Sequence, residues 1–309
     1  MSSYHIPVLL DEVIAGLNIK SDGIYVDGTV GGGGHSKEIF KLLNDDGLLI
    51  CNDIDSEAIQ EARTKIASDN VIYINDNYKN LVSNLHNMNI KEVDGVLLDL
   101  GISSHQIDDK TRGFSYMLDA NLDMRMSKDA GMTAYDVVNS YSYDKLVEIL
   151  FLYGEERYSK LIAKAIVKNR EISPIKTTTE LSEIAKKVYG IKKTYGLGHP
   201  AKRTFQAIRI EVNSELEQLS ECITALTRLL KKEGRICIIS FHSLEDRIVK
   251  QTFAELEKNC ICDKSSPICT CNKKSEIKII NKKPIIASAK EIENNSRSKS
   301  AKLRIAQKK

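Results

Sequence analysis

Residues 23–35 read Gly23-Ile-Tyr-Val-Asp27-Gly-Thr29-Val-Gly31-Gly-Gly33-Gly34-His35. The apolar run Ile24 to Val26 has the β-branched and aromatic character of a buried strand, and it ends in an acid followed by clustered glycines. Apolar positions of helical type follow over Ser36–Leu43. Glycines at such a strand-to-helix turn let the backbone approach a ligand where a Cβ would clash. Two phosphate-binding patterns fail here. A P-loop needs Gly-Lys-Ser/Thr, and this turn continues Gly34-His35. The dinucleotide spacing G-x-G-x-x-G, started at Gly31, would need glycine at position 36, which is Ser36.

Outward from this turn the β/α rhythm continues. Strand patterns fall at Leu48–Asp53, Val71–Ile74 and Val93–Leu98. Between the first two, Ser56–Ser68 carries Ala58, Ile59, Ala62 and Ile66 at helical spacing, with Ser56 expected as N-cap. Alternation of this kind predicts an α/β fold with a Rossmann-like, parallel, doubly wound sheet. From about Ser104 to Asn213 no strand pattern occurs. Helical stretches are predicted there at Tyr143–Tyr153, Glu156–Arg170, Thr179–Val188 and Ala201–Leu230, the last broken near Asn213. The strand pattern returns at Gly234–Ser240. The predicted organisation is a core in two parts, residues 1–104 and 214–309, around an all-helical insert at 105–213. The insert follows the carboxyl end of the Val93–Leu98 strand, the edge where such sheets bind ligands, so it is placed to contact a substrate.

Asp53 ends its strand about 20 residues past the glycines, where a carboxylate can accept both hydroxyls of a ribose. NAD sites share that carboxylate, so Asp53 marks a nucleoside ligand without choosing among them. Asp99 follows the Val93–Leu98 strand on the same edge. One aspartate at a strand end is ordinarily a cap or turn residue; three acidic or glycine-rich strand ends on one edge favour a ligand site. A glycine turn without phosphate machinery suits a ligand whose middle is a sulfonium and an amino acid.

Hydrophobic residues are 42% of the chain, an ordinary globular share that excludes disorder throughout. No apolar run approaches the roughly 18–20 residues of a membrane span, and the first residues show no signal-peptide pattern, so a soluble cytoplasmic protein is expected. From Lys258 to Lys309 there are 14 Lys and Arg against 4 Asp and Glu; the preceding residues hold 31 against 38. A basic tail on an acidic body fits a polyanion binder, and equally a solubilising tail. Of the seven cysteines, Cys51, Cys222 and Cys237 stand in apolar contexts expected of inert core residues. Cys260, Cys262, Cys269 and Cys271 form a C-x-C…C-x-C cluster, readable either as a structural zinc site or as free thiols on a loop.

The chain resembles the bacterial ribosomal RNA small-subunit methyltransferase H family (MraW), which is cytosine-N4-specific. The resemblance rests on strings spread almost end to end. They include His5-Ile-Pro-Val-Leu-Leu10, the 27–35 turn, Asp94-Gly-Val-Leu-Leu-Asp-Leu-Gly-Ile-Ser-Ser104, Arg112-Gly-Phe-Ser115 and Leu122-Asp-Met-Arg-Met126. Further on stand Tyr153-Gly-Glu-Glu-Arg157, His199-Pro-Ala, Thr204-Phe-Gln-Ala207 with Arg209, Asn213-Ser-Glu-Leu216 and Ile239-Ser-Phe-His-Ser-Leu-Glu-Asp-Arg-Ile-Val-Lys250. It departs at His105, where the family usually has Pro, and at Lys202, Ser296 and Lys299, where Thr, Pro and Arg are usual. None of these touches the glycine turn, Asp53 or Asp99.

The resemblance implies an S-adenosylmethionine-dependent enzyme that methylates N4 of a decoding-centre cytidine in the 16S rRNA of the small ribosomal subunit, with no DNA or membrane partner. It implies cofactor contacts from Gly33, Gly34, His35, Asp53, Tyr78, Asp99 and Gln106. Asp99 is also the candidate acceptor for the amino group, and Phe241 the candidate to stack the base, with Phe114 and Tyr116 as other aromatics. His242 and Glu245 read either as active-site groups or as caps. Candidate RNA contacts are the stripe Arg157, Lys160, Lys164 and Lys168, with Arg203 and Arg209; a solvated helix face is the plainer reading of such a run. Two other classes compete on the residues alone: a nicotinamide-dependent oxidoreductase, against which the glycine spacing speaks, and a non-enzymatic RNA-binding module, which leaves the turn and Asp53 unexplained. A methyltransferase acting on another nucleic acid fits the cofactor residues equally well.

Overall fold

A computed structural model describes residues 7–128, 131–190, 198–262 and 270–309. The chain divides into two compact units: one runs up to Gly101 and resumes over Glu217–Lys309, and the other is Ile102–Leu216.

The first unit is built on a sheet. Its strands are β1 (Ile24–Asp27), β2 (Leu48–Asp53), β3 (Val71–Asn75), β4 (Val93–Asp99), β5 (Leu230–Ser240), β6 (Ile277–Ile279) and β7 (Lys302–Lys308). Their order is β3-β2-β1-β4-β5-β7-β6. The first five pair in parallel, while β7 runs antiparallel to both β5 and β6. Strand order reverses between β1 and β4, and the carboxyl edge at such a reversal is a natural binding crevice. Alternate residues go to opposite faces. Val26, Ile50, Val96, Leu98 and Ile236 enter one buried cluster, whereas Tyr25, Leu49, Leu97, Cys237 and Ile239 enter another. Both faces are thus covered, as the continuously apolar strands require. Helices α1 (Leu10–Leu17), α2 (Gly34–Phe40) and α3 (Ser56–Lys65) supply Val13, Ile39 and Ile59 to the second cluster. The first receives Leu85 from α4 (Leu81–Asn87), Ile223 from α11 (Leu219–Leu229) and Phe253 from α12 (Ser243–Glu257).

The second unit contains α5 (Ser104–Asp108), α6 (Ala134–Ser140), α7 (Tyr143–Leu152), α8 (Ser159–Arg170), α9 (Thr178–Tyr189) and α10 (Lys202–Asn213). Among its described residues there is no strand, only an isolated bridge between Asn121 and Thr177. Its own core includes Leu122, Val137, Leu146, Ile162, Leu181 and Ile208. Capping boxes start three of its helices, pairing Ser103 with Gln106, Thr133 with Asp136 and Thr177 with Glu180. No helix of the described residues is long and apolar enough to cross a membrane.

Several expectations are corrected. Asp55, not Ser56, caps α3: its carboxylate accepts the Glu57 amide, making Ser56 the first helical residue. The helix expected from Glu156 begins at Ser159, because Glu156 is buried and accepts from the Tyr189 hydroxyl and the Tyr158 amide, which holds the segment in a turn. The sheet is parallel only through β5. The tail strand β7 was hidden in a lysine-rich segment: Leu303 and Ile305 are buried, and Arg304, also buried, pairs with Asp246 at 2.7 Å. Part of the basic tail is therefore a core strand.

Candidate functional site

The carboxyl ends of β1, β2 and β4 bring Asp27, Asp53 and Asp99 to one edge. The glycine turn leaves β1 there. Gly31 (φ +50°) and Gly33 (φ +73°) adopt left-handed backbone that side chains disfavour. Gly33 is the N-cap of α2, and Gly34 and His35 open that helix. The turn is tied to β2 through three bonds: the Val30 amide donates to the Asn52 carbonyl at 2.8 Å, the Gly31 amide donates to Asp53 Oδ2 at 2.8 Å, and Asn52 Nδ2 donates to the Gly28 carbonyl at 3.0 Å. The other Asp53 oxygen accepts from the Asp55 amide at 2.9 Å. Burial outweighs these two donors and lifts the Asp53 carboxyl to about 7. Asp53 nevertheless keeps partial access to solvent, so a ligand can reach it.

Asp27 is buried, accepts from Ser36 Oγ at 2.6 Å and from the Thr29 amide at 3.2 Å, and is raised to about 6 by burial. Asp99 is the least satisfied of the three. Its amide donates to Thr29 Oγ1 at 2.6 Å, but its buried Oδ1 has no hydrogen-bond partner among the described residues. Asp99 Oδ2 lies 3.8 Å from His35 Nδ1, and the opposite ring nitrogen, Nε2, is 2.9 Å from the Val8 carbonyl. Burial first, then repulsion from Asp27 and Glu245, holds the Asp99 carboxyl well above the ordinary carboxylate range. Thr29 was not singled out by sequence reasoning, although a hydroxyl two residues past the strand-end acid is a signal that could have found it.

The remaining candidates scatter more. Tyr78 starts a short 3-10 turn (Tyr78–Asn80) after β3 and packs against the buried cluster that holds Leu81 and Leu85. Gln106 belongs to the helical unit, where its side chain caps the Ser103 amide at 3.1 Å. Phe241 follows β5, gives its amide to Glu245 Oε2 at 2.8 Å, and lines a cavity of about 260 Å³ with His242, Ile286, Ile292, Lys299 and Lys302. His242 and Glu245 form the capping box of α12, which gives both a structural duty.

In the helical unit, Lys160, Lys164 and Lys168 are exposed along α8. Arg157 precedes the helix, its guanidinium 5.0 Å from the Tyr158 ring centre, so the stripe on α8 itself is the three lysines. Arg203 donates to the Glu155 carbonyl at 3.0 Å. Arg209 forms a two-pronged pair with Glu215, at 2.8 and 2.9 Å, so its fork is already committed to a carboxylate. At the other end of the chain, Cys260, Cys262 and Cys271 lie together, while Cys269 falls outside the described residues. Cys51, Cys222 and Cys237 are buried apart from them, and burial pushes each thiol up, as inert core cysteines require.

A doubly wound sheet with a glycine turn and acidic strand ends at its switch point defines the class: a Rossmann-like α/β fold. Residues 2–309 match the model of the MraW methylase family, and the chain belongs to that family. Relatives agree over full length. The chain is 55% identical over 309 residues to ribosomal RNA small subunit methyltransferase H of Clostridium botulinum, covering 100% of both chains. It is 52% identical over 310 residues to the protein of the same name from Clostridioides difficile, again covering 100% of both. With that of Finegoldia magna it shares 50% over 311 residues, covering 100% of this chain and 99% of the other.

Proposed function

We propose that the protein transfers a methyl group from S-adenosylmethionine to the exocyclic N4 of a decoding-centre cytidine in 16S rRNA, acting on the assembled small ribosomal subunit. The names of its full-length relatives support the RNA substrate. The observation that carries the chemistry is the buried, unpartnered Oδ1 of Asp99 at the switch-point edge. A buried acceptor without a donor is costly and is kept where a ligand supplies the donor; an exocyclic amino group has two.

The residues at the edge fit the cofactor. When bound, S-adenosylmethionine supplies an electrophilic methyl on a sulfonium. Gly33, Gly34 and His35 would line its methionine end, Asp53 would accept the ribose hydroxyls, and Tyr78 would pack by the adenine. The N4 lone pair of cytosine is delocalised into the ring and is a poor nucleophile. Asp99, accepting an N4 hydrogen, draws the nitrogen toward a pyramidal geometry. As N4 gains its methyl it must shed a proton, and a carboxylate whose surroundings favour protonation is suited to take it. Positioning and exclusion of water account for the rest of the rate. Phe241, lining its cavity, stacks the base, a contact worth roughly 1–3 kcal/mol. The helical unit recognises RNA through Lys160, Lys164 and Lys168 on α8, with Arg157 just before that helix and Arg203 bonded to the Glu155 carbonyl, while Arg209 is held by Glu215.

The test offers labelled S-adenosylmethionine with four acceptors: small subunits lacking the modification, naked 16S rRNA, duplex DNA and protein. Label in the RNA of the small subunits is expected. Label confined to DNA or protein contradicts the proposal.

A further inference from the structure

Beyond α12 the chain doubles back. The Ser275 amide donates to Asn259 Oδ1 at 3.2 Å, and the Glu276 amide donates to the Leu256 carbonyl at 2.9 Å. This pairing brings Cys260, Cys262 and Cys271 together, with their sulfurs all within 4.8 Å of one another and Cys271 Sγ 3.7 Å from Cys260 Sγ. The spacing excludes a disulfide and matches sulfurs that share an ion. A disulfide needs its sulfurs about 2.05 Å apart. A tetrahedral ion with zinc–sulfur bonds of about 2.3 Å sets its ligand sulfurs about 3.8 Å apart, since a tetrahedron's edge is about 1.63 times its centre-to-vertex distance.

The backbone supplies a second, independent sign. Each sulfur faces an amide: Cys262 N–H donates to Cys260 Sγ at 3.3 Å, Ile261 N–H to Cys271 Sγ at 3.4 Å, and Thr270 N–H to Cys262 Sγ at 3.4 Å. Amides aimed at sulfur stabilise the thiolate form and fix its direction, which is what outer-shell partners do for metal ligands. An all-sulfur set of this kind selects a soft or borderline ion.

We infer that Cys260, Cys262 and Cys271 bind a zinc ion through their thiolates, pinning the connection between α12 and β6. The ion lies apart from the methyl-transfer chemistry, which needs no metal, and acts as a clasp on the fold. The test is metal analysis of the full-length protein, purified under reductant and without chelator. About one zinc per chain is expected, lost in Cys260→Ser and in Cys271→Ser, with Cys51→Ser retaining it. Because a serine variant could lose metal by failing to fold, the wild-type protein is also exchanged with cobalt(II). A thiolate-to-cobalt charge-transfer band in the near ultraviolet is expected. Zinc well below one per chain together with no such band overturns the inference, as does iron in place of zinc.

Discussion

Strand β4 carries an aspartate near each end, and the two are in opposite electrostatic states. At the start of the strand, Asp94 receives Lys231 Nζ at 2.7 Å, Lys20 Nζ at 3.3 Å and the Ile24 amide at 3.0 Å. Burial alone would raise its carboxyl, but these donors outweigh burial and hold it below the ordinary value. At the far end, Asp99 has no lysine or arginine paired with it among the described residues, only the His35 ring at 3.8 Å, leaves Oδ1 without a partner among them and faces the repulsion of Asp27 and Glu245. The same residue type on the same strand is thus stabilising at one end and costly at the other. Natural sequences tolerate such a cost where an incoming group relieves it. The helical unit, taken by itself, resembles the Asp94 end: buried Glu156 is met by Tyr189, and buried Glu215 by Arg209.

Substitutions at the two ends should separate accordingly. The largest effect is expected from Asp99→Ala, which should lower kcat by about 10²–10³-fold, the range typical of removing one group that meets charge only in the transition state. Cofactor affinity, read by calorimetry, should change far less. Asp94→Ala should leave kcat unchanged; an equal loss at both ends would break the comparison.

The next effect concerns pH. Ribose hydroxyls bond the ionised form of Asp53, whose carboxyl sits at about 7 in the free protein. Cofactor affinity should therefore be full above that value and weaken about tenfold per pH unit below it. An affinity that is flat through neutral and mildly acidic pH would contradict the assignment.

Stability gives a smaller, oppositely signed pair. The raised carboxyl of Asp99 binds its proton more tightly in the folded state, so stability falls as pH rises from the ordinary carboxylate range through the raised value. Asp99→Asn should accordingly raise Tm at neutral pH by roughly 2–4 °C while reducing turnover. The depressed carboxyl of Asp94 gives stability that is present at neutral pH and lost as pH falls through its lowered value. Asp94→Asn should cost about 1–2 kcal/mol in denaturant melts, discounted because both lysines reach solvent.

How much of this was legible in the sequence follows from where the signals are local. The glycine turn, the five parallel strands and the strand-end acids Asp53 and Asp99 are read from runs of a few residues. The opposite states of Asp94 and Asp99 are not, because Lys231 lies far along the chain from Asp94 and Glu245 far from Asp99. Strand β7 was concealed by its lysines and by Arg304, which only the fold pairs with Asp246. Arg209 read as a free cation because Glu215 lies past the end of α10 and is brought back by the left-handed turn at Ser214.

The smallest effect is expected on the helical unit. Neutralising Lys160, Lys164 and Lys168 to Gln should weaken RNA binding and flatten its salt dependence, by about 0.7–0.9 in log–log slope for each phosphate contact removed. An unchanged slope would leave α8 a solvated face.

The central claim is that Asp99 meets the amino group of the target base. The most direct test is nucleoside analysis of small-subunit RNA after transfer of labelled methyl by the wild-type protein and by Asp99→Asn. The account predicts label in N4-methylcytidine with the wild type and a loss of that nucleoside with Asp99→Asn far larger than any change in cofactor affinity. Label on a ring carbon or a ribose hydroxyl, or wild-type yield from Asp99→Asn, would contradict it.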